Sequence, residues 1–105
     1  MSRARQILSG DGYAHETITV ANTAIGFTAA TWRVGEHSGV RAVITATGGQ
    51  MRYRYDGGNP TTTVGHLLAH GDILVVENAI NITQFRVIQI GTQNGTLSVT
   101  YERIL

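Results

Sequence analysis

The sequence predicts an all-β fold: an antiparallel β-sandwich of jelly-roll or immunoglobulin-like type, with little or no helix. Three observations carry that expectation. About seven short runs alternate apolar and polar residues and are rich in Val, Ile, Thr and Tyr, the pattern of half-buried strands. Turn signals built from Gly, Asn, Asp and Pro recur roughly every 8–12 residues. No stretch carries the apolar spacing of a convincing helix.

Residues 1–12 contain Arg3, Arg5 and the turn-forming Ser9-Gly10-Asp11-Gly12, and read as an N-terminal arm. Ile7 and Leu8 are its only apolar anchors, suited to docking on a neighbouring subunit; the alternative is a frayed terminus. The single β-sandwich domain is then expected over 13–105. Residues 13–20 alternate, with Ala14, Glu16, Ile18 and Val20 on one face and Tyr13, His15, Thr17 and Thr19 on the other. Ala21-Asn22-Thr23 is a turn. Residues 25–32 are apolar but interrupted by Gly26, which predicts an irregular or edge strand. Residues 33–39 form a polar loop. Residues 40–47 predict a central strand, because Val43 and Ile44 make both faces partly apolar.

Gly48-Gly49 has the form of a two-residue hairpin turn leading into a strand at 51–55. That strand opens the stretch around which the chain is organised, residues 50–72. Asp56-Gly57-Gly58-Asn59-Pro60 is its strongest turn signal; a Thr triplet, the pair Leu67-Leu68 and a second turn at His70-Gly71-Asp72 follow. Residues 72–77 are a strand, and 78–81 a turn or one short helical turn. Residues 83–90 predict a strand with Phe85 and Val87 on one face and Arg86, Ile88 and Ile90 on the other. Asn94-Gly95 is the best type I′ pair in the chain. Residues 96–103 close it as a strand with Leu97, Val99 and Tyr101 inward.

Composition narrows the function. Charged residues are 14% of the chain, against about 25% in an ordinary soluble domain. All the basic residues are Arg, and Gly occurs 13 times. Arg is enriched and Lys depleted where protein meets protein, because guanidinium sheds water more readily and bonds in a planar fork. The composition fits a chain that lives against other protein, and equally one encoded by a GC-rich genome. A net charge of +1 gives no electrostatic case for nucleic acid. No apolar run is long enough to span a bilayer, and residues 1–8 lack the apolar core of a secretory signal. With no Cys, disulfide and thiolate chemistry are absent.

Candidate chemistry is sparse. His66 and His70 lie four apart, a metal-ligand spacing on a helix, but glycines bracket them and no third ligand is evident. His15 and His37 have no identifiable partner. Asp56, Asn59 and Asp72 offer oxygens to calcium, yet Asp-Gly-Gly-Asn is first of all a turn. Ser9, Ser38 and Ser98 have no nucleophile-elbow context, and the acids are scattered singly, so the chain is expected to be no enzyme and to hold no cofactor or metal. The notable cluster is Arg52 and Arg54 on one face of a strand with Met51, Tyr53 and Tyr55 on the other. The arginines are inter-subunit donors in one reading, and solvated partners of core tyrosines in the other.

Three segments resemble a family of small virion proteins of tailed bacteriophages: MRYRYDGGNPTTTVGHLLAHGDIL, TQFRVIQIG and the closing TLSVTYER. The opening HETITVANTAIGFTA matches the same style, so the resemblance covers about residues 16–103. Its most specific part is R-Y-R-x-D-G-x-x-P-T followed by G-H-x-L and G-D. The resemblance implies a non-enzymatic virion structural protein, assembled in the host cytoplasm. Within that class the expectation is a capsid decoration or cement protein that binds and stabilises the major capsid shell. Its partners would be the major capsid protein or other virion proteins, with self-association as a dimer or trimer and no nucleic acid or membrane. Contacts are expected from Arg3, Arg5, Ile7 and Leu8 in the arm, and from Arg52, Arg54, Asp56, Asn59, Thr61, Thr62 and Thr63. A head–tail or tail accessory protein is one alternative. A carbohydrate- or receptor-binding module is another, with Tyr13, Trp32 and Tyr55 as candidate exposed aromatics.

Overall fold

A computed structural model of the chain describes residues 11–33 and 40–103. Among them are seven strands and two short helices, an all-β, sandwich-like arrangement of two antiparallel sheets. The first sheet has the order β1-β7-β2-β5, formed by β1 (Asp11–Val20), β7 (Gly95–Arg103), β2 (Val40–Gly48) and β5 (Ile73–Glu77). The second has the order β4-β3-β6, formed by β4 (His66–Leu68), β3 (Met51–Arg54) and β6 (Arg86–Gln89). The helices are α1 (Ala29–Trp32) and α2 (Ala79–Gln84).

Period-2 alternation explains the packing. Ile18 and Val20 of β1, Leu97, Val99 and Tyr101 of β7, and Ala42, Ile44 and Ala46 of β2 are buried on one face of the first sheet. Met51, Leu68 and Val87 of the second sheet are buried against them, and Phe85 and Ile82 fill the end of the core. Each fully buried aliphatic of this kind contributes about 1.5–3 kcal/mol. Aromatic rings then tie the layers together. Phe27 stacks on Phe85 at 4.5 Å, Tyr53 lies 5.6 Å from Phe85, and Tyr101 meets Phe27 edge-on at 5.8 Å. The Tyr101 hydroxyl donates to Glu16 Oε2, which satisfies the inward carboxylate that the alternation of β1 placed there. Burial first, and that hydrogen bond second, push the Tyr101 hydroxyl well above the ordinary phenol range.

Several expectations need correction. β1 begins at Asp11, two residues earlier than expected, with Asp11 opposite Arg103. Residues 25–32 form no edge strand. Ile25 makes a single bridge to Val87, and the chain then turns into α1. Residues 83 and 84 belong to α2, so β6 is shorter than expected; Asn78, at a φ of 69°, caps α2 by accepting from the Asn81 amide at 3.0 Å.

The two glycine turns are also not hairpins. β2 and β3 lie in different sheets, as do β6 and β7, so Gly48-Gly49 and the 90–94 connection are crossovers between layers. They run side by side: the Gly49 amide donates to Asn94 O at 3.0 Å, and the Ile90 amide to Gln50 O at 3.1 Å. A Cβ on Gly49 would lie 2.2 Å from Gln93 O. Asn94 and Gly95 lack the positive φ of a type I′ turn. Gly95 is demanded instead by Met51, whose Sδ a Cβ there would meet at 2.4 Å.

Candidate contact surface

β3 places Arg52 and Arg54 on the outer face of the second sheet, and both turn onto the loop that follows. Arg54 Nε and Nη2 donate to the two carboxylate oxygens of Asp56 at 3.0 and 2.8 Å, a bidentate pair, while Nη1 donates to Asn59 O at 3.3 Å. Arg52 Nε donates to Thr62 O at 3.2 Å and Nη1 to Gly65 O at 2.8 Å. The loop has no sheet ladder, so its carbonyls need such donors. Inside it the Thr61 hydroxyl accepts from the amides of Thr63 and Val64, at 3.2 and 3.0 Å. Pro60 is buried beneath, and Gly65, at a φ of 132°, passes where a Cβ would crowd Tyr53 O and Pro60.

Of the expected contact residues, Arg52, Arg54, Asp56, Asn59, Thr61, Thr62 and Thr63 are therefore gathered in one unit. The arginines are its internal buttress rather than free donors, and Asp56, Asn59 and the threonines are exposed. Arg3, Arg5, Ile7 and Leu8 lie outside the described residues, as does His37. Beside the loop is an open hollow of about 610 Å³ lined by Arg54, Tyr55, Asp56, Val64, Gly65 and His66. Tyr55 and Val64, 47% and 50% exposed, give that hollow an apolar rim, while Leu67, 58% exposed, stands opposite Arg52 on the outer face of the sheet. Val64, His66 and Leu67 were not singled out for contact by the sequence. The signal available was Leu67 beside Leu68: in a strand, one of two adjacent leucines faces out.

Comparisons with protein-family models, curated proteins and solved structures returned no match.

The remaining candidates are spoken for locally. His66 packs between Tyr53 and Tyr55, at ring distances of 5.3 and 6.3 Å, whereas His70 Nδ1 accepts from the Gly48 amide at 3.1 Å. The four-residue spacing spans a strand and a turn, so the two imidazoles serve different partners. Asp72 accepts from the Ala69 amide at 2.8 Å in its own turn, and both oxygens of Asp56 belong to Arg54. Among the described residues no three His, Asp or Glu side chains converge on a cation position, and no helix is long and apolar enough to cross a membrane. His15 does have a partner, Thr100 Oγ1 at 3.1 Å on the neighbouring strand. Trp32 is buried, with its carbonyl accepting from the Tyr13 hydroxyl at 2.6 Å. Of the three aromatics considered for sugar stacking, only Tyr55 is exposed.

The Arg54 hydrogen bonds, with help from the Gly58 amide, hold the Asp56 carboxyl down from 3.8 to about 2. A carboxyl depressed on folding stabilises the loop fully above its unfolded value, and that stabilisation is lost as pH falls through about 2. Followed by NMR during acidification, the Gly58 amide should therefore titrate with a midpoint near 2. In Arg54→Gln the midpoint should move up toward the ordinary aspartate value. A wild-type midpoint near 4 would mean that the clamp is not formed in solution.

Proposed function

We propose that this chain is a non-enzymatic component of a bacteriophage virion, a capsid decoration or cement protein that binds the major capsid shell. The observation that carries the reading is the loop at 56–65: exposed, held by two arginines, and rimmed by Tyr55 and Val64. A loop already fixed by its own hydrogen bonds loses little entropy on binding, so modest apolar contacts yield net affinity. Exposed threonine and asparagine groups supply a polar rim around that apolar centre. On a repeating shell, many weak contacts of this kind add up to a stable coat.

The test is co-sedimentation with shells assembled from the major capsid protein of the same phage. Wild-type chain should pellet with the shells, and Val64→Asp should bind about ten-fold more weakly or worse, as for a central apolar contact. Because Val64 is exposed, that variant should keep the wild-type melt. Failure of the wild type to pellet would defeat the proposal. A carbohydrate-binding reading has one observation behind it, the exposed ring of Tyr55 beside Asp56 and His66 in the hollow. It requires glycan binding that Tyr55→Ala abolishes.

A further inference from the structure

Two sheets leave four edges, and three of them carry features that discourage pairing. β1 carries a register break between Gly12 and Ala14 and the inward Glu16. β4 is three residues long. β6 is covered by Ile25, which exchanges two hydrogen bonds of 2.9 Å with Val87. Bulges, inward charges, short strands and covering segments are how sheets protect their edges. β5 has no bulge or inward charge, and the described cover on it is the Asn81 side chain at the Glu77 carbonyl. Its register with β2 is unbroken from Ile73 to Glu77, it has no proline, and Ile73 and Val75 are 38% and 44% exposed.

The backbone of β5 shows which groups are open. Asp72 O accepts from the Ala46 amide at 2.9 Å, and the Asn78 amide donates to Val40 O at 3.0 Å. Bonding alternates along an antiparallel strand, so Leu74 and Val76 turn their amides and carbonyls toward β2. Ile73, Val75 and Glu77 turn theirs to the free edge, where the Glu77 carbonyl accepts from Asn81 Nδ2 at 3.0 Å. No described residue bonds the outward backbone of Ile73 or Val75.

We propose that β5 is a self-pairing edge, and that its partner is β5 of a second copy of this chain, added antiparallel about a two-fold axis at Val75. In that register Val75 faces Val75 of the second copy, and Ile73 faces its Glu77. The residues brought opposite one another are those whose backbone groups point outward; the Val75 pair exchanges two hydrogen bonds, and each Ile73–Glu77 pair does so with the Glu77 carbonyl shared with, or released by, Asn81 Nδ2. Val43 lies opposite Val75 on β2, so Val43 and Val75 of both copies form one aliphatic row across the joined sheets. The two Glu77 side chains stand roughly 13 Å apart along the strands, beyond the screening length at physiological salt. An isologous contact of this kind closes at two copies and does not propagate. This inference does not depend on the virion reading.

Light scattering of the purified full chain should give a mass that rises to that of a dimer with concentration. Val75→Pro removes only an amide that β2 does not use. It should keep the β-sheet circular dichroism and shift the mass to the monomer. Val75→Cys should give a covalent dimer on mild oxidation. Facing residues in a bonded antiparallel pair have Cα atoms about 5.5 Å apart, within disulfide range, and the chain has no other Cys. Ile80→Lys, at an exposed apolar residue outside β5, should leave the dimer intact. A wild type that stays monomeric at its highest soluble concentration would overturn the proposal. So would a Val75→Pro dimer, or a Val75→Cys chain that does not cross-link.

Discussion

Phe85→Ala is expected to lower the unfolding free energy by about 3–5 kcal/mol, out of a total of about 5–15 for a domain of this size. Phe85 is fully buried and sits where the structure is joined, stacked on Phe27 at 4.5 Å and within 5.6 Å of Tyr53. Phe27 in turn meets Tyr101 of the first sheet, while Tyr53 belongs to the second. Removing the ring would leave a cavity between the layers and strip Tyr53 of its inner neighbour. Urea unfolding followed by circular dichroism should show the midpoint falling by about 2 M, given the usual slope for a small domain. Phe85→Leu keeps most of the volume and should cost less. A loss under about 1 kcal/mol in Phe85→Ala would mean that the aromatic column does not join the sheets.

Gly49→Ala is expected to cost about 1–3 kcal/mol, the range for forcing atoms into a filled space. The obstruction is backbone, Gln93 O at 2.2 Å from the added carbon, so no side chain can swing aside to admit it. Either the 48–50 corner or the 90–94 crossover must move, and the hydrogen bond from Gly49 to Asn94 moves with it. Gly91→Ala is the control, since its added methyl meets nothing and should change stability by less than about 0.5 kcal/mol. Gly48→Asn separates a crossover from a hairpin. An Asn-Gly pair stabilises a type I′ hairpin turn, whereas here a Cβ at 48 would stand 2.7 Å from Asn94 O and the variant should be less stable.

The sandwich class and most of the core were legible in the sequence because alternation is a local signal. Ile18 and Val20, Ala42 and Ile44, and Leu97, Val99 and Tyr101 all face inward as their spacing requires. The glycines were legible as special positions but not for the right reason. Gly48-Gly49 looks like a hairpin, and only the layer assignment of β2 and β3 reveals two crossovers pressed together. Likewise Asn94-Gly95 carries turn chemistry, yet it is the Met51 side chain, over forty residues earlier in the sequence, that excludes a Cβ. At the candidate site the residue types pointed to the Arg52–Thr63 region. Whether an arginine faces a partner or its own loop depends on where the next ten residues fold back, and pattern alone does not encode that. Tyr53 and Tyr55 alternate onto one side, yet Tyr53 is half-buried against Phe85 while Tyr55, just past the end of β3, is exposed.

The most direct test of the proposed function is a cryo-electron microscopy map of capsid shells from the same phage, with and without this chain. Added density is expected on the shell at a repeated lattice position, with the 56–65 loop, Tyr55 and Val64 against capsid protein. Shells that acquire no density, or a bound chain whose loop face is turned to solvent, would contradict it.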